Sequence, residues 1–236
     1  MIKQIRLQPL VNLQSRVILG YEALYAKITD EDYPSAVEIL KTVCEKAQIQ
    51  HDTDLYINMA KQDASSSEFA DKFLEVMHML NVKGSRIVLE ISERTKPQAL
   101  QQVKKTALQL KKYGVRFALD DFGMHYSTYH YLSELPIDII KLDQHFVGKA
   151  VKNTKDCEIL RSAISLAHRL GCKVVIEGIE KLGNLATALI EGADIGQGYL
   201  FAYENEVKHE ISKPFVSLQD WLIGVIPPQS AAYYRE

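Results

Sequence analysis

Five short apolar runs each end on a residue that can hold a metal ion or handle a proton. Asp54-Leu55-Tyr56-Ile57 ends at Asn58, Arg86-Ile87-Val88-Leu89 at Glu90, and Val115-Arg116-Phe117-Ala118-Leu119 at Asp120-Asp121. Ile137-Asp138-Ile139-Ile140 ends at Lys141, and Lys173-Val174-Val175-Ile176 at Glu177. Short β-branched runs read as buried strands. A lone carboxylate after a strand is ordinarily a helix cap or a solvated loop residue. The same placement at six strand ends, Glu22 included, needs another reason. In a parallel sheet all these ends lie on one face, so their oxygens would gather there around one fixed positive charge.

The chemistry of that set is specific. Glu22, Asn58, Glu90, Asp120 and Asp121 are all-oxygen donors, which select Mg²⁺ or Mn²⁺ over zinc. Five protein ligands exceed what one Mg²⁺ usually takes, whereas two ions about 3.5–4 Å apart would use them all. A metal pair of that kind holds a hydroxide and stabilises both oxygens of a phosphoryl transfer. Lys141 would orient the attacking water or offset phosphate charge, and Glu177 would be a further ligand or the general base. Two successive aspartates cannot both face a barrel interior along a regular strand. A turn of the backbone at the strand's end lets both reach metals.

Alternating strands and helices must position these groups. Strands are expected at Ile2–Leu10, Val17–Tyr21, Asp54–Asn58, Arg86–Ile91, Val115–Leu119, Ile137–Leu142 and Lys173–Ile176, with another short one beginning at Ala193–Ile195. The first two are expected to be antiparallel across Gln14-Ser15-Arg16. Helices are expected from Pro34 to about Gln48, near Ser67–Leu80, over Pro97–Tyr113, near Cys157–Leu170 and over Leu182–Glu191. The polar residues at Glu22, Asn58, Glu90, Asp120, Lys141, Glu177 and Gln197 recur every 20 to 36 positions, the scale of a βα unit. Seven or eight strands favour a closed α/β barrel, whose reactive groups sit at the C-terminal strand ends. No Gly-x-Gly-x-x-Gly follows a strand, so a dinucleotide fingerprint is missing.

Composition sets the remaining bounds. The 236 residues are 47% hydrophobic and 25% charged, with a formal net charge of −2. That balance suits one large globular domain over residues 1–236 and argues against bulk binding of DNA, RNA or an anionic membrane. Cys44, Cys157 and Cys172 are odd in number and far apart, so neither a disulfide framework nor a thiolate zinc site is indicated. No run approaches the ~18 apolar residues of a membrane span, and the N-terminus lacks a signal-peptide core. A cytoplasmic protein is expected. The seven histidines are not paired at metal spacing.

Taken in order, these motifs resemble the EAL-domain family of bacterial cyclic di-GMP phosphodiesterases. Gln8-Pro9-Leu10-Val11, Tyr21-Glu22-Ala23-Leu24, Ile57-Asn58-Met59 and Leu89-Glu90-Ile91-Ser92-Glu93 follow the family pattern. So do Leu119-Asp120-Asp121-Phe122-Gly123, Leu135-Pro136-Ile137-Asp138, Ile140-Lys141-Leu142-Asp143, Glu177-Gly178-Ile179-Glu180 and Gln197-Gly198-Tyr199-Leu200-Phe201. The resemblance implies a TIM-like (β/α)8 barrel, mostly parallel with one antiparallel strand near the N-terminus. It implies a motif-bearing core over about 8–201, then a C-terminal helix and irregular tail over 204–236.

The same resemblance implies two-metal hydrolysis of cyclic di-GMP to a linear dinucleotide with Mg²⁺ or Mn²⁺, in a stand-alone, homodimeric member. On that mapping Glu22, Asn58, Glu90, Asp120 and Asp121 bind metals. Lys141 positions the water, Glu177 is base or ligand, and Glu180 joins them in catalysis. Gln8, Leu24, Asp143 and Gln197 contact substrate. Glu93 anchors the loop after Asp121, next to the dimer interface. The pattern departs at Ala26, where the family often has a phosphate-holding arginine, with Lys27 next. It departs again at Met124-His125, where the family loop has threonine and glycine. Weaker substrate binding and a stiffer loop are expected from these changes. A catalytically weak receptor or interaction module on the same fold is the alternative; an unrelated barrel enzyme of sugar phosphates fits the ordered motifs poorly.

Overall fold

In the computed structural model, the described residues are 5–25, 33–46, 53–124, 128–201 and 205–206. The chain begins with the hairpin β1 (Ile5–Asn12) and β2 (Ile18–Tyr25), followed by α1 (Ala36–Lys46) and β3 (Asp54–Asn58). Next come α2 (Lys61–Ser65), α3 (Phe69–Met79), β4 (Ile87–Ser92), α4 (Leu100–Lys111) and β5 (Arg116–Phe122). Then follow α5 (Thr128–Glu134), β6 (Ile139–Leu142), α6 (Gln144–Ala150), α7 (Thr154–Arg169) and β7 (Lys173–Ile176). The series ends with α8 (Leu182–Ile190), β8 (Ile195–Gln197) and β9 (Asn205–Glu206).

Strands β2 to β8 pair in sequence order, all parallel, and β1 closes the ring by pairing with both β8 and β2. The result is a closed eight-stranded barrel ringed by helices, in which β1 is the antiparallel strand. Asn205–Glu206 falls in the stretch expected to be a helix and tail. These two residues instead pair antiparallel with Leu7 and Arg6; the rest of 207–236 lies outside the described residues. The short α2 and α6 have no counterpart in the sequence reading, because each is too brief to carry a helical stripe.

Three strands run two or more residues further than expected, β1 continuing past Leu10 to Asn12. β2 continues past Tyr21 to Tyr25, and β5 continues past Leu119 to Phe122. Glu22 and Asp120 therefore lie within strands rather than at their ends. Strand alternation then sorts the residues into layers. The inner apolar layer is Leu10, Tyr56, Val88, Ala118, Ile139, Val175 and Ile195. Two positions further along six of these strands stand Asn58, Glu90, Asp120, Lys141, Glu177 and Gln197. β1 runs the other way, so two positions before Leu10 stands Gln8, directly opposite Glu22. The polar layer is thus the next turn of the pleat above an apolar plug. Below the plug, Asp54 pairs with Arg116 at 2.8 Å and Arg86 at 3.4 Å.

The outward strand faces meet the helices. α3 buries Phe69, Ala70, Phe73, Val76 and Met77 at helical spacing, with the Phe69 and Phe73 rings 5.5 Å apart. Burying a Phe or Leu side chain contributes about 1.5–3 kcal/mol. This outer core holds the ring rigid, so the polar layer inherits fixed positions.

Candidate active site

Lys141 sits at the centre of the polar layer with its side chain 1% exposed. Its ammonium lies 2.7 Å from Glu90 Oε1, 2.8 Å from Glu177 Oε1, 3.2 Å from Glu22 Oε2 and 3.3 Å from Asp120 Oδ1. Asn58 Nδ2 donates to Glu22 Oε1 and Glu90 Oε2, both at 3.0 Å. Gln197 Nε2 donates to Glu22 Oε2 at 2.6 Å and to Gln8 Oε1 at 2.7 Å. Seven strands of the barrel therefore meet at one cluster, with Glu177 contributed from just beyond β7.

Asp121 joins by a local break in the strand. Its φ is 59°, in the left-handed region that Asp tolerates better than most residues. Between Leu119 and Phe122 the register with β6 shifts, as at a β-bulge. This turn lets successive aspartates reach one place. An oxygen each from Asp120, Asp121 and Glu177 lies within 4.8 Å of the others. Glu93, 3% exposed, accepts a hydrogen bond from Gly123 N at 3.2 Å and so ties the following turn to the end of β4.

The electrostatics are those of a site short of positive charge. Burial pushes Glu90 well above the usual carboxylate range, and the neighbouring Glu22 adds to this. Burial also raises Asp120 and takes Glu177 up to about 7, against the opposing pull of Lys141. Burial works against ionised Glu22 too, but Lys141 and the hydrogen bond from Gln197 outweigh it and hold Glu22 below its ordinary value. Burial disfavours the Lys141 cation, yet the surrounding carboxylates overcome it and keep it charged. With Asp121, five carboxylates face one ammonium, an excess of four negative charges when all are ionised. Apart from the Lys141 ammonium, buried Glu90 Oε1 and Asp120 Oδ1 meet no hydrogen-bond donor among the described residues. Hard divalent cations fit this donor set, with Glu22, Asn58, Glu90, Asp120 and Asp121 as the residues to hold them. Asn58 would do so through Oδ1, after its amide turns over.

A pH dependence follows from these shifts. Metal binding requires ionised carboxylates, and Glu90, Asp120 and Glu177 hold protons to higher pH than usual. Mn²⁺ affinity is expected to rise with pH through about 7, where Glu177 loses its proton. Calorimetry in buffers of different ionisation enthalpy should record protons released on binding at about pH 6 and fewer at about pH 8.

Other expected site residues are placed differently. Asp143 caps α6, its Oδ1 accepting from His145 N at 2.8 Å, and it also contacts the His145 ring. The sequence mapping assigned it to substrate; a helix N-terminus two positions after Lys141 explains the carboxylate locally. Glu180 is exposed and makes no hydrogen bond or ion pair with the cluster. Leu24 is half-buried on β2, opposite Arg6. Ala26, Lys27 and His125 lie outside the described residues; Met124 is 41% exposed.

Two features carried no sequence signal. Tyr33 is held beside the site by Gln62, which donates to its carbonyl at 2.8 Å, and by edge contact with the Tyr25 ring. Burial and the charges of Glu22 and Glu90 raise its phenol strongly. Buried Asp63 supports the same segment through Ser35 Oγ at 2.6 Å and Ala36 N at 2.8 Å. Gly178 has φ 65°, and a Cβ there would lie 2.2 Å from Gln144 Cβ. Gly178→Ala is expected to displace the adjacent Glu177. Thermal unfolding should show a loss of about 1–3 kcal/mol, and metal affinity should fall.

A family model described as the EAL domain matches residues 35–204. The chain belongs to the EAL domain family. It is 30% identical to the cyclic di-GMP phosphodiesterase RocR of Pseudomonas aeruginosa over 69% of this chain and 42% of that one. It is 32% identical to another cyclic di-GMP phosphodiesterase of the same organism, over 71% of this chain and 27% of that one. It spans about a quarter of the length of most of the curated relatives it matches. Among solved structures, the EAL domain of Mycobacterium smegmatis DcpA superposes with a TM-score of 0.77 at 25% identity, covering 95% of this chain and 97% of that one. A standalone EAL protein from Vibrio cholerae, in a cyclic di-GMP bound form, gives 0.75 at 22% identity over 86% and 92% of the chains; that likeness is one of fold. Among the described residues no helix of this EAL domain is long and apolar enough to cross a membrane.

Proposed function

We propose that this EAL domain hydrolyses one phosphodiester of cyclic di-GMP, giving the linear dinucleotide, with two Mg²⁺ or Mn²⁺ ions. The observation that carries the reading is the buried excess of carboxylate over ammonium around Lys141. Bound divalent cations would supply a hydroxide nucleophile and offset the charge of the phosphate. Lys141 orients the attacking water and balances Glu22 and Glu90. Glu177, poised near pH 7, accepts the water proton as the new P–O bond forms. The opposite P–O bond breaks, and its oxygen takes a proton from solvent. Gln197 and Gln8 brace Glu22.

The proposal extends to the setting. The three cysteines are free, which suits a cytoplasmic protein. A homodimer is supported by the apolar exposure of Met124 and Tyr129 beside the Asp121 turn, and sedimentation would test it. For the activity, purified protein with Mn²⁺ or Mg²⁺ is incubated with cyclic di-GMP and the products are separated by chromatography. One linear dinucleotide is expected, and Glu22→Ala should form none. No turnover in either metal overturns the reading. Tight binding without turnover would instead mark a receptor module.

A further inference from the structure

Asp121 is not placed by strand pairing alone. The ladder between β5 and β6 is interrupted between Leu119 and Phe122, and the φ of 59° at Asp121 is a conformation that persists only where the surroundings enforce it. The enforcing piece is the turn that follows β4. It closes through Thr95 N to Ser92 O at 2.9 Å. Its Glu93 donates a backbone N–H to Asp120 O at 3.3 Å and accepts from Gly123 N at 3.2 Å. Asp121 therefore lies between the two bonds of Glu93. Within the segment, Met124 N returns to Asp121 O at 3.1 Å.

The other end of this turn is fastened by a residue with no assigned role. Tyr131 on α5 is 2% exposed, and its hydroxyl donates to the carbonyl oxygen of Thr95. α5 has seven residues, too few to sustain a helix unaided, so tertiary contacts place it. On the surface, Lys104 of α4 pairs with its Glu134 at 3.0 Å. Packing alone would be served by phenylalanine, and a buried hydroxyl is costly unless bonded. Burial and the charge of Glu93 raise the phenol, so it stays protonated and remains a donor. The turn at 92–95 thus grips the chain just around Asp121 through Glu93 and again at α5 through Thr95.

We infer that the Tyr131 hydroxyl is a positioning group for Asp121. By fastening α5 to the turn that carries Glu93, it holds the left-handed backbone at Asp121 and so sets the affinity for the cation that this carboxylate takes. The inference rests on the metal reading proposed above.

Tyr131→Phe removes the hydroxyl and keeps the ring. Amide hydrogen exchange in the metal-free protein and Mn²⁺ calorimetry are compared in wild type, Tyr131→Phe and Ile164→Val. The last trims a buried side chain on α7, at a stability cost of the same order as one hydrogen bond. In Tyr131→Phe the Gly123 and Met124 amides should exchange about 3–10-fold faster, and Mn²⁺ should bind about 3–10-fold more weakly, the worth of one hydrogen bond. Excess Mn²⁺ should restore turnover of cyclic di-GMP, because the reacting groups are untouched. Ile164→Val should leave both amides and the affinity as in wild type. Unchanged exchange and affinity in Tyr131→Phe overturn the inference. Equal shifts in Ile164→Val overturn it as well, because they would put the effect down to stability alone. Wild type that binds Mn²⁺ but leaves cyclic di-GMP intact removes the proposed reaction, while affinity and exchange still decide the role of Tyr131. Wild type that binds no Mn²⁺ removes both.

Discussion

Lys141→Met should lower turnover by about 10²–10⁴-fold, the range for losing a group that handles or orients a reacting proton. It should also destabilise the metal-free protein. Among the described residues Lys141 is the only cation within the cluster, and its ammonium lies within 3.3 Å of four carboxylates. Removing one partner of a buried ion pair typically costs about 3–5 kcal/mol. Methionine has the length to fill the space, so the loss would be of charge more than of packing. The carboxylates can respond by protonating, and this sets the pH dependence. A carboxylate whose folded pKa lies above its unfolded value weakens the fold as pH rises from the unfolded toward the folded pKa. Without Lys141, Glu22 joins Glu90, Asp120 and Glu177 in this class. The stability gap between wild type and Lys141→Met should therefore widen from about pH 5 to about pH 8. Mn²⁺ should narrow it again by supplying the missing charge. Urea unfolding at several pH values, with and without Mn²⁺, checks both statements. A gap independent of pH would show that the ammonium is not balancing these carboxylates.

Asp121→Asn is expected to separate the two roles of that residue. Asn tolerates left-handed backbone as Asp does, so the turn at φ 59° should survive. The ligand charge is lost. Substitutions one shell out from a metal typically weaken binding by about 10–100-fold, and a direct ligand should cost at least that. Catalytic turnover at limiting Mn²⁺ should fall accordingly. The metal-free protein should become more stable, because one of five crowded negative charges is gone. Asp121→Ala loses the same charge but resists the left-handed turn, at a further cost of about 1–2 kcal/mol. Unfolding midpoints of the metal-free variants should thus rank Asn above Ala. Calorimetry with Mn²⁺ should show weakened binding in both. Equal midpoints would mean that the turn is not strained by a Cβ.

Much of the site was legible because strands repeat every two residues. Tyr56 and Asn58, Val88 and Glu90, Ala118 and Asp120, Ile139 and Lys141, Val175 and Glu177, and Ile195 and Gln197 are the same step, apolar then polar, on six strands. That step needs only local alternation, and the ordered motifs tied it to a family. Strand limits were less legible. Glu22 and Asp120 were read as strand ends because polarity marks a boundary in sequence. In the barrel they continue the pleat, since the interior itself becomes polar at that level.

Residue types and their period determined, without coordinates, that this chain alternates strands with helices and carries an oxygen-rich, lysine-centred set of side chains. What the sequence left open depends on contacts between residues far apart in the chain. Glu22 and Lys141 are 119 positions apart, and Glu22 and Gln197 are 175 apart; ring closure through β1 is what brings them together. The consecutive aspartates pointed to a turn near Asp121, but the slip in pairing between β5 and β6 that makes it depends on the neighbouring strand. Asp143 caps α6 through a bond to His145 N two residues away, a local role that its residue type alone does not separate from a site role. Periodicity is local, but register and closure are global, and the chemistry of the polar strand positions depends on both.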